Sequence, residues 1–209
     1  MTTVLIILTI ILLPVLYNML VPLKPPCLDG YFKSGQTFSS KMEGVTQTII
    51  KQVGDKVYSE VTLAPGSAGP PEHLHISFDE SATITKGTLT VKLNNEVTEM
   101  SAGSRLSFPK EQYHTFSNNT NSEVVITCDQ DSDYIPVSFV YSLAQFYPLL
   151  DSSSKLKMVH LLFKASMFGD LFDTYVVDAP VNAQKTIKMI LRPYARVLGY
   201  KLYDSISKP

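Results

Sequence analysis

Three of the four histidines in the chain and one glutamate follow a pattern that suits a metal site. His73 and His75 are two residues apart, so on a β-strand both imidazoles leave the same face and can meet one ion. Glu80 and His114 would add a carboxylate and a third imidazole. Such a mixed donor set suits Fe, Mn, Ni, Cu or Zn, whereas Ca and Mg prefer shells of oxygen alone. The predicted cofactor is therefore one divalent transition metal.

A single straight strand cannot bring these four side chains to one point. Glu80 lies five residues beyond His75, and this odd offset would send its carboxylate to the opposite face of an unbroken strand. The site therefore requires a turn or bulge between Ile76 and Asp79. It also requires a later strand that returns His114 to the same place.

The sequence around the four residues is typical of short β-strands. Between Gly35 and Thr127, runs rich in Val, Ile, Thr, Tyr and Phe alternate with turn residues about every eight to twelve positions. Asn94-Asn95 separates two alternating runs and predicts a tight hairpin. Strands this short bury a core only by closing into a barrel or packing as two sheets. The apolar positions expected to face the interior are Leu89, Val91, Leu106, Phe108 and Phe116.

The two signature motifs of the cupin family resemble two segments of this region, GPPEHLHISFDESATITKG and GSRLSFPKEQYHTFSN. The matching positions are His73, His75, Glu80, Gly87, Gly103, Pro109, His114 and Asn118. The resemblance covers about half of the chain and implies a small double-stranded β-helix, the jelly-roll barrel of single-domain, type-2-like cupins. It also implies that one metal lies inside the barrel, bound by His73, His75, Glu80 and His114.

Two positions depart from the family's motifs, because Ser67 and Glu111 stand where cupins usually have glycine. Glycine at such turns permits a positive φ. We therefore expect Glu111 either to be strained by about 1 kcal/mol or more, or to reshape the loop before His114. Arg105 is the nearby candidate for holding an anionic substrate, and no catalytic residue is assigned.

The amino-terminal segment is uncharged from Val4 to Leu23. As a helix it is long enough to cross a hydrocarbon core of about 30 Å. No basic residue precedes it and no small-x-small cleavage site follows it, which favours a transmembrane anchor over residues 1–23 rather than a cleaved signal peptide. The lysines that follow the span predict a single-pass protein with its barrel in the cytoplasm: Lys24, Lys33 and Lys41. The sequon Asn118-Asn119-Thr120 would favour the opposite orientation.

The remaining boundaries follow from composition. Residues 24–34 are predicted to be a short stiff linker, residues 35–136 the barrel and residues 137–209 a helical carboxyl-terminal extension. Helices are expected over Val137–Leu149, Ser154–Phe168 and Asn182–Tyr203. The last one carries a basic stripe, Lys185, Lys188, Arg192 and Arg196, and an apolar stripe, Ile187, Leu191, Tyr194 and Leu198. Either the apolar stripe packs on the barrel and the basic stripe is solvated, or the helix contacts a membrane surface.

Composition limits the classes of function. Lys and Arg number 18 against 19 Asp and Glu, a balance that argues against a dedicated nucleic-acid binder. Two cysteines are too few for a disulfide-framed secreted scaffold.

The sequence leads to one main functional hypothesis and two alternatives. The main hypothesis is a membrane-anchored, metal-binding cupin that acts as a dioxygenase-like enzyme on a small organic molecule. The first alternative is a non-enzymatic module that binds a small molecule or sugar, with a structural metal or none. The second is a metal-free isomerase-type cupin, which the complete ligand set argues against. The predicted partners are a small-molecule ligand, a membrane and a second copy in a homodimer, and nucleic acid is not expected.

Overall fold

The computed structural model describes residues 2–130 and 133–202, and in the first helix the side chains of residues 2–8 and 10 lie outside the description. Between Thr37 and Pro136 the described chain is built of short strands, as the alternating sequence predicts. Their bounds are β1 (Thr37–Ser40), β2 (Val45–Val53), β3 (Lys56–Leu63), β4 (His73–Leu74), β5 (Glu80–Lys86), β6 (Thr88–Leu93), β7 (Glu96–Ser101), β8 (Arg105–Phe108), β9 (His114–Ser117), β10 (Val124–Cys128) and β11 (Ile135–Pro136).

These strands form two sheets in a jelly-roll arrangement. One sheet has the strand order β1-β2-β3-β10-β5-β8, with β11 paired to the start of β3. The second contains β4, β9, β6 and β7 in that order, and all pairs are antiparallel. The apolar side chains between the sheets form the core, and Leu63, Ile84, Leu89 and Val124 are fully buried. Burial of these aliphatic side chains is the main source of stability of the barrel.

The hairpin predicted at Asn94-Asn95 is confirmed. Both residues have positive φ, 48° and 72°, and Leu93 pairs with Glu96 across the turn. Asparagine tolerates this left-handed backbone, which matches the right-handed twist of the flanking strands. The hairpin fixes the register of β6, which in turn pairs with β9, where His114 lies.

The carboxyl-terminal extension is helical, with one exception. Its helices are α2 (Val137–Leu150), α3 (Lys157–Phe168) and α4 (Val181–Val197), and a short 3₁₀ turn spans Gly169–Leu171. The predicted start of α3 at Ser154 is wrong, because residues 154–156 form a turn in which the Ser154 hydroxyl accepts a hydrogen bond from the Leu156 amide. The helix predicted to reach Tyr203 ends earlier, and Tyr203 lies outside the described residues.

The exception is a strand that the sequence did not predict. Residues Tyr175–Val176 form β12, which pairs with β4 and so adds a fifth strand to the second sheet. The extension is therefore part of the barrel sheet beside His73.

A Schellman motif explains the end of α4. Gly199 has a φ of 85°, and its amide donates to the Arg196 carbonyl while the Tyr200 amide donates to the Ala195 carbonyl. Pro193 lies within the helix without interrupting it.

The packing of α4 differs from the expected arrangement. Ile187 and Leu198 of the apolar stripe are exposed, 45% and 62%, whereas Lys188 lies over the ring of Tyr175 at 4.4 Å. Arg196 hydrogen-bonds to Asn18 of the first helix, α1 (Thr2–Leu20). Long basic side chains can bury their aliphatic stems while their charged ends contact rings and carbonyls. Lys188, Arg192 and Arg196 are accordingly half-buried, and Lys185 remains exposed.

The transmembrane anchor predicted for residues 1–23 is not supported. In the part of the chain that the structure describes, no helix combines the length and the apolar character needed to cross a membrane. The membrane location and the cytoplasmic side of the barrel stay predictions.

Candidate metal centre

The structure brings the four predicted ligands together inside the barrel. His73 in β4 and His114 in β9 are direct partners across the second sheet. His75 follows β4, and Glu80 is the first residue of β5 in the other sheet. One donor atom from each of the four residues lies within 4.8 Å of the others. The two sheets therefore supply one convergent site.

The predicted bend between Ile76 and Asp79 is confirmed. Residues 76–79 carry the chain from the second sheet to the first, which turns the Glu80 carboxylate back toward the histidines. The Asp79 carboxylate accepts a hydrogen bond from the Lys110 amide at 2.8 Å. The odd sequence offset of Glu80 is thus explained by a change of sheet.

Each of the three imidazoles has its Nδ1 atom against a backbone carbonyl. The distances are 2.7 Å from His73 to Pro71, 2.5 Å from His75 to Asp173 and 2.9 Å from His114 to Gln112. A carbonyl only accepts, so each Nδ1 carries the proton in the neutral ring. This tautomer leaves all three Nε2 lone pairs available to a metal.

The Nε2 atoms of His75 and His114 point at a carboxylate rather than at hydrogen-bond donors. Glu80 Oε2 lies 3.3 Å from His75 Nε2 and 3.4 Å from His114 Nε2. The buried His114 Nε2 has no hydrogen-bond partner. Lone pairs that converge on a carboxylate repel one another unless a proton or a cation lies between them.

The donor set fits a transition metal. Metal–nitrogen and metal–oxygen bonds of about 2.0–2.2 Å place ligands on opposite sides of an ion about 4 Å apart, close to the 4.8 Å within which all donor atoms lie here. The four side chains could therefore hold one ion.

Burial and neighbouring charge shift the pKa values in opposite directions. Burial, with the neighbouring His75 and His114, lowers the pKa of His73 to about 3, so this ring is neutral at pH 7. Burial would raise the pKa of Glu80, but its contacts with His114 and His75 outweigh burial. Burial would lower the pKa of His114, but its contact with Glu80 outweighs burial. The pKa of Glu80 is therefore lowered and that of His114 raised, and the carboxylate is ionised, as a metal ligand must be.

Aromatic rings form the walls of the site. Phe108 stacks on His114 at a centroid distance of 4.4 Å, and Phe78 stacks on His75 at the same distance. Phe139 of α2 packs edge-on against His75 at 4.8 Å. The predicted interior positions Leu89, Val91, Leu106 and Phe108 are buried, and Phe116 is partly buried. These rings restrict the rotation of the imidazoles and exclude water from two of them.

The first departure from the family motif is accommodated by neighbouring glycines. Ser67 has no positive φ, whereas Gly66 and Gly69 on either side do, at 68° and 69°. Gly44 makes room for Ser67, because a Cβ atom at position 44 would lie 2.3 Å from the Ser67 Cβ. The loop that leads to His73 therefore keeps its turn without a glycine at position 67.

At the second departure, Glu111, the backbone is strained, which is one of the two outcomes expected from the sequence. Glu111 has a φ of 64°, and its amide donates to the His75 carbonyl at 2.6 Å. Glu111→Gly is expected to raise the free energy of unfolding by about 0.5–1 kcal/mol, because glycine adopts positive φ without a steric penalty. Chemical denaturation measures this change.

Lys110→Gly is the matched control for this substitution. Lys110 is adjacent and does not have a positive φ, so glycine there only adds freedom to the unfolded chain and should lower stability by about 0.5–1 kcal/mol. A loss of stability in both variants would contradict the strain at Glu111.

The remaining candidate residues have structural partners. Arg105 forms an ion pair with the buried Asp133, so its guanidinium is already engaged. The Asn118 amide is fully buried and hydrogen-bonds to Leu63, Ala64, Ser122 and Thr120. A buried asparagine is inaccessible to glycosylation, so the sequon gives no support for a lumenal or external barrel. His160 Nδ1 contacts the Tyr200 hydroxyl, which fits a structural role.

Sequence reasoning missed two residues beside the site. Asp173 supplies the acceptor of His75, and Phe139 covers the same ring. Both lie in the extension, far along the chain from the motifs. Neither residue type nor local spacing distinguishes them from other aspartates and phenylalanines.

Comparison with family models agrees with this geometry. Residues 59–128 match the Cupin_2 model, described as a cupin domain. This segment is similar to a cupin domain. The match includes all four ligands of the site, and β1, β2 and the carboxyl-terminal extension lie outside it. No curated protein matches the chain.

Several solved structures are similar to part of this chain. KdgF from Halomonas sp. is 21% identical, with 44% of this chain and 86% of that one covered and a TM-score of 0.36. A sugar phosphate isomerase of the cupin superfamily from Silicibacter pomeroyi is 21% identical, with coverages of 47% and 70% and a TM-score of 0.38. A predicted oxalate decarboxylase from Thermotoga maritima is 17% identical, with coverages of 45% and 88% and a TM-score of 0.38.

Proposed function

We propose that the cupin domain binds one divalent transition metal through His73, His75, Glu80 and His114. One observation supports this most strongly. All three imidazoles have Nδ1 against a backbone carbonyl, so three Nε2 lone pairs and one ionised carboxylate converge on a single point. Without a cation, the lone pairs and the carboxylate repel one another. A bound cation would replace this repulsion by attraction.

We infer that the bound metal serves a reaction on a small organic molecule, of the dioxygenase-like kind. A metal held by His73, His75, Glu80 and His114 would supply Lewis-acid or redox chemistry when bound. The chain's own residues hold the rings in place, and 18% of the Glu80 side chain remains accessible to water. A cavity of about 20 Å³ lies beside Glu80 and is lined by Phe108, Phe116 and Ile126 among others. This is room for one water-sized molecule.

The small cavity favours a second candidate, a structural metal. Ligand pockets for organic molecules usually measure about 300–1,000 Å³, so a larger substrate would require lining side chains such as Phe108 or Phe116 to move. A structural site needs no such opening. The two candidates differ in what loss of the metal does to the fold.

Metal content of the purified full-length chain tests the proposed site. We expect near-stoichiometric Fe, Mn, Ni, Cu or Zn by elemental mass spectrometry, and its loss in the double variant His73→Ala, His75→Ala. His160→Ala is the matched control, because the fourth histidine lies outside the cluster, and it should retain the metal. A wild-type chain that holds no metal and takes up none of these ions would contradict the proposal.

Chelation then separates the two candidates. A structural metal is required for the fold, so its removal should leave the chain unfolded. A catalytic metal also raises the melting temperature when it binds, but its removal should leave a folded chain that has lost turnover.

A further inference from the structure

We propose that Asp173, in the carboxyl-terminal extension, is a positioning residue for the metal centre, so that metal binding and docking of residues 169–179 on the barrel are coupled. The inference rests on the proposed function, because it concerns the same metal. It adds a residue and a segment that lie outside the cupin match.

The buried Asp173 carboxylate holds the bend that leads to Glu80. It accepts hydrogen bonds from the Ile76 amide at 3.0 Å and from the Ser77 amide at 2.6 Å. The Ser77 hydroxyl donates to the same carboxylate at 2.5 Å. These are charge-assisted bonds, which are about twice as strong as neutral ones. They fix the link that carries the chain from His75 to Glu80.

The backbone of Asp173 orients His75 directly. His73 and His114 each use a carbonyl two residues earlier in the chain, whereas the acceptor for His75 lies 98 residues away. The first two rings are therefore oriented by local structure. His75 depends on a segment that reaches it only when the extension is docked.

The extension holds Asp173 from both sides. On the barrel side, β12 pairs Tyr175 with Leu74 and Val176 with His73. On the other side, Lys188 of α4 donates to the Phe172 carbonyl at 3.1 Å, and Gln184 donates to the carbonyls of Val176 and Ala179. A shift of α4 would therefore move the acceptor of a metal ligand.

Coupling of this kind is reciprocal. If docking of residues 169–179 raises the metal affinity, the metal must stabilise the docked segment by the same free energy. Asp173 contacts the metal ligand His75 and the bend that follows it, and not the ion itself. Its effect should therefore appear as a changed metal affinity and a changed geometry of the metal ligands.

Cobalt titration of full-length Asp173→Asn tests the coupling. Asparagine keeps the shape but replaces one acceptor oxygen by an NH₂ donor facing the Ile76 and Ser77 amides. Changes of this kind typically weaken metal binding by about 10–100-fold, and we expect about tenfold weaker Co²⁺ binding with an altered d–d absorption spectrum. Asp178→Asn, at an exposed position five residues further on, is the matched control and should bind like the wild type.

Hydrogen exchange provides the reciprocal measurement. In the wild type, Co²⁺ should slow amide exchange in residues 169–179, and this protection should be smaller in Asp173→Asn. If that variant fails to fold, Lys188→Met provides the test, because it loosens the segment from α4 without touching a ligand. It should also weaken Co²⁺ binding.

The outcomes separate the two proposals. A wild-type chain that does not bind Co²⁺ would refute the proposed function itself. A wild-type chain that binds Co²⁺, together with an Asp173→Asn or Lys188→Met variant that binds within twofold of it and shows the same spectrum, would overturn the coupling and leave the metal site intact.

Discussion

Glu80→Gln is expected to weaken Co²⁺ or Zn²⁺ binding by the full-length chain by more than about 100-fold, beyond the usual effect of residues that only support a ligand. The carboxylate is the anionic member of the four ligands, and its Oε2 lies within 3.4 Å of two Nε2 atoms. Glutamine keeps the volume but removes the charge and one acceptor oxygen. Competition with a chromophoric chelator measures the affinity.

The same substitution should change the pH dependence of stability in the metal-free chain. The raised pKa of His114 contributes stability that is present below its ordinary value of 6.5 and is lost as pH rises through the folded-state pKa. The lowered pKa of Glu80 contributes stability that is present above its ordinary value of 4.5 and is lost as pH falls. Glu80→Gln should therefore lower the free energy of unfolding most between pH 4.5 and pH 6.5.

Glu99→Gln is the control for both measurements, since Glu99 is exposed on β7. Glu99→Gln should change neither the metal affinity nor the pH dependence of the free energy of unfolding. Metal binding by Glu80→Gln within threefold of the wild type would remove Glu80 from the ligand set.

Among substitutions that add one methyl group to the loop before His73, Gly69→Ala should lower the stability of the fold most. Gly69 has a φ of 69°, and a Cβ atom there would lie 1.8 Å from the backbone oxygen of Phe116. Backbone cannot yield as the end of a side chain can, so β9 or the loop must move. We expect a loss of about 2–4 kcal/mol in the free energy of unfolding and weaker metal binding, because Phe116 lies two residues after His114.

Gly103→Ala separates strain from collision. Gly103 also has a positive φ, 92°, but a Cβ atom there meets nothing within 4 Å. This control should lose about 1–2 kcal/mol from backbone strain alone and keep its metal. Urea unfolding measures the free energy of unfolding of both variants. Equal losses of stability would show that the collision with the Phe116 backbone oxygen does not contribute to the effect of Gly69→Ala.

The sequence predicted those parts of the site that depend on local rules. The two-residue spacing of His73 and His75 and the odd offset of Glu80 required a shared face and then a bend, and the structure contains both. Asn94-Asn95 likewise determines its own turn. These features follow from strand periodicity and backbone preference, which act over a few residues.

The parts that were missed depend on contacts between distant residues. No local rule connects Asp173 with His75, 98 residues earlier. The stripes of α4 were recognised, but periodicity gives the faces of a helix and not which face is buried. The inward position of Lys188 became visible only with the rings of Tyr175 and Phe172 in place.

The division of the ligands between two sheets gives a bound ion a mechanical role. His73 and His114 belong to one sheet and Glu80 to the other. Both cysteines are free thiols, so no disulfide ties these strands together. An ion held by all four residues would act as a reversible cross-link across the barrel, closing the loop from His73 to His114 in the way a disulfide closes a loop in a secreted domain.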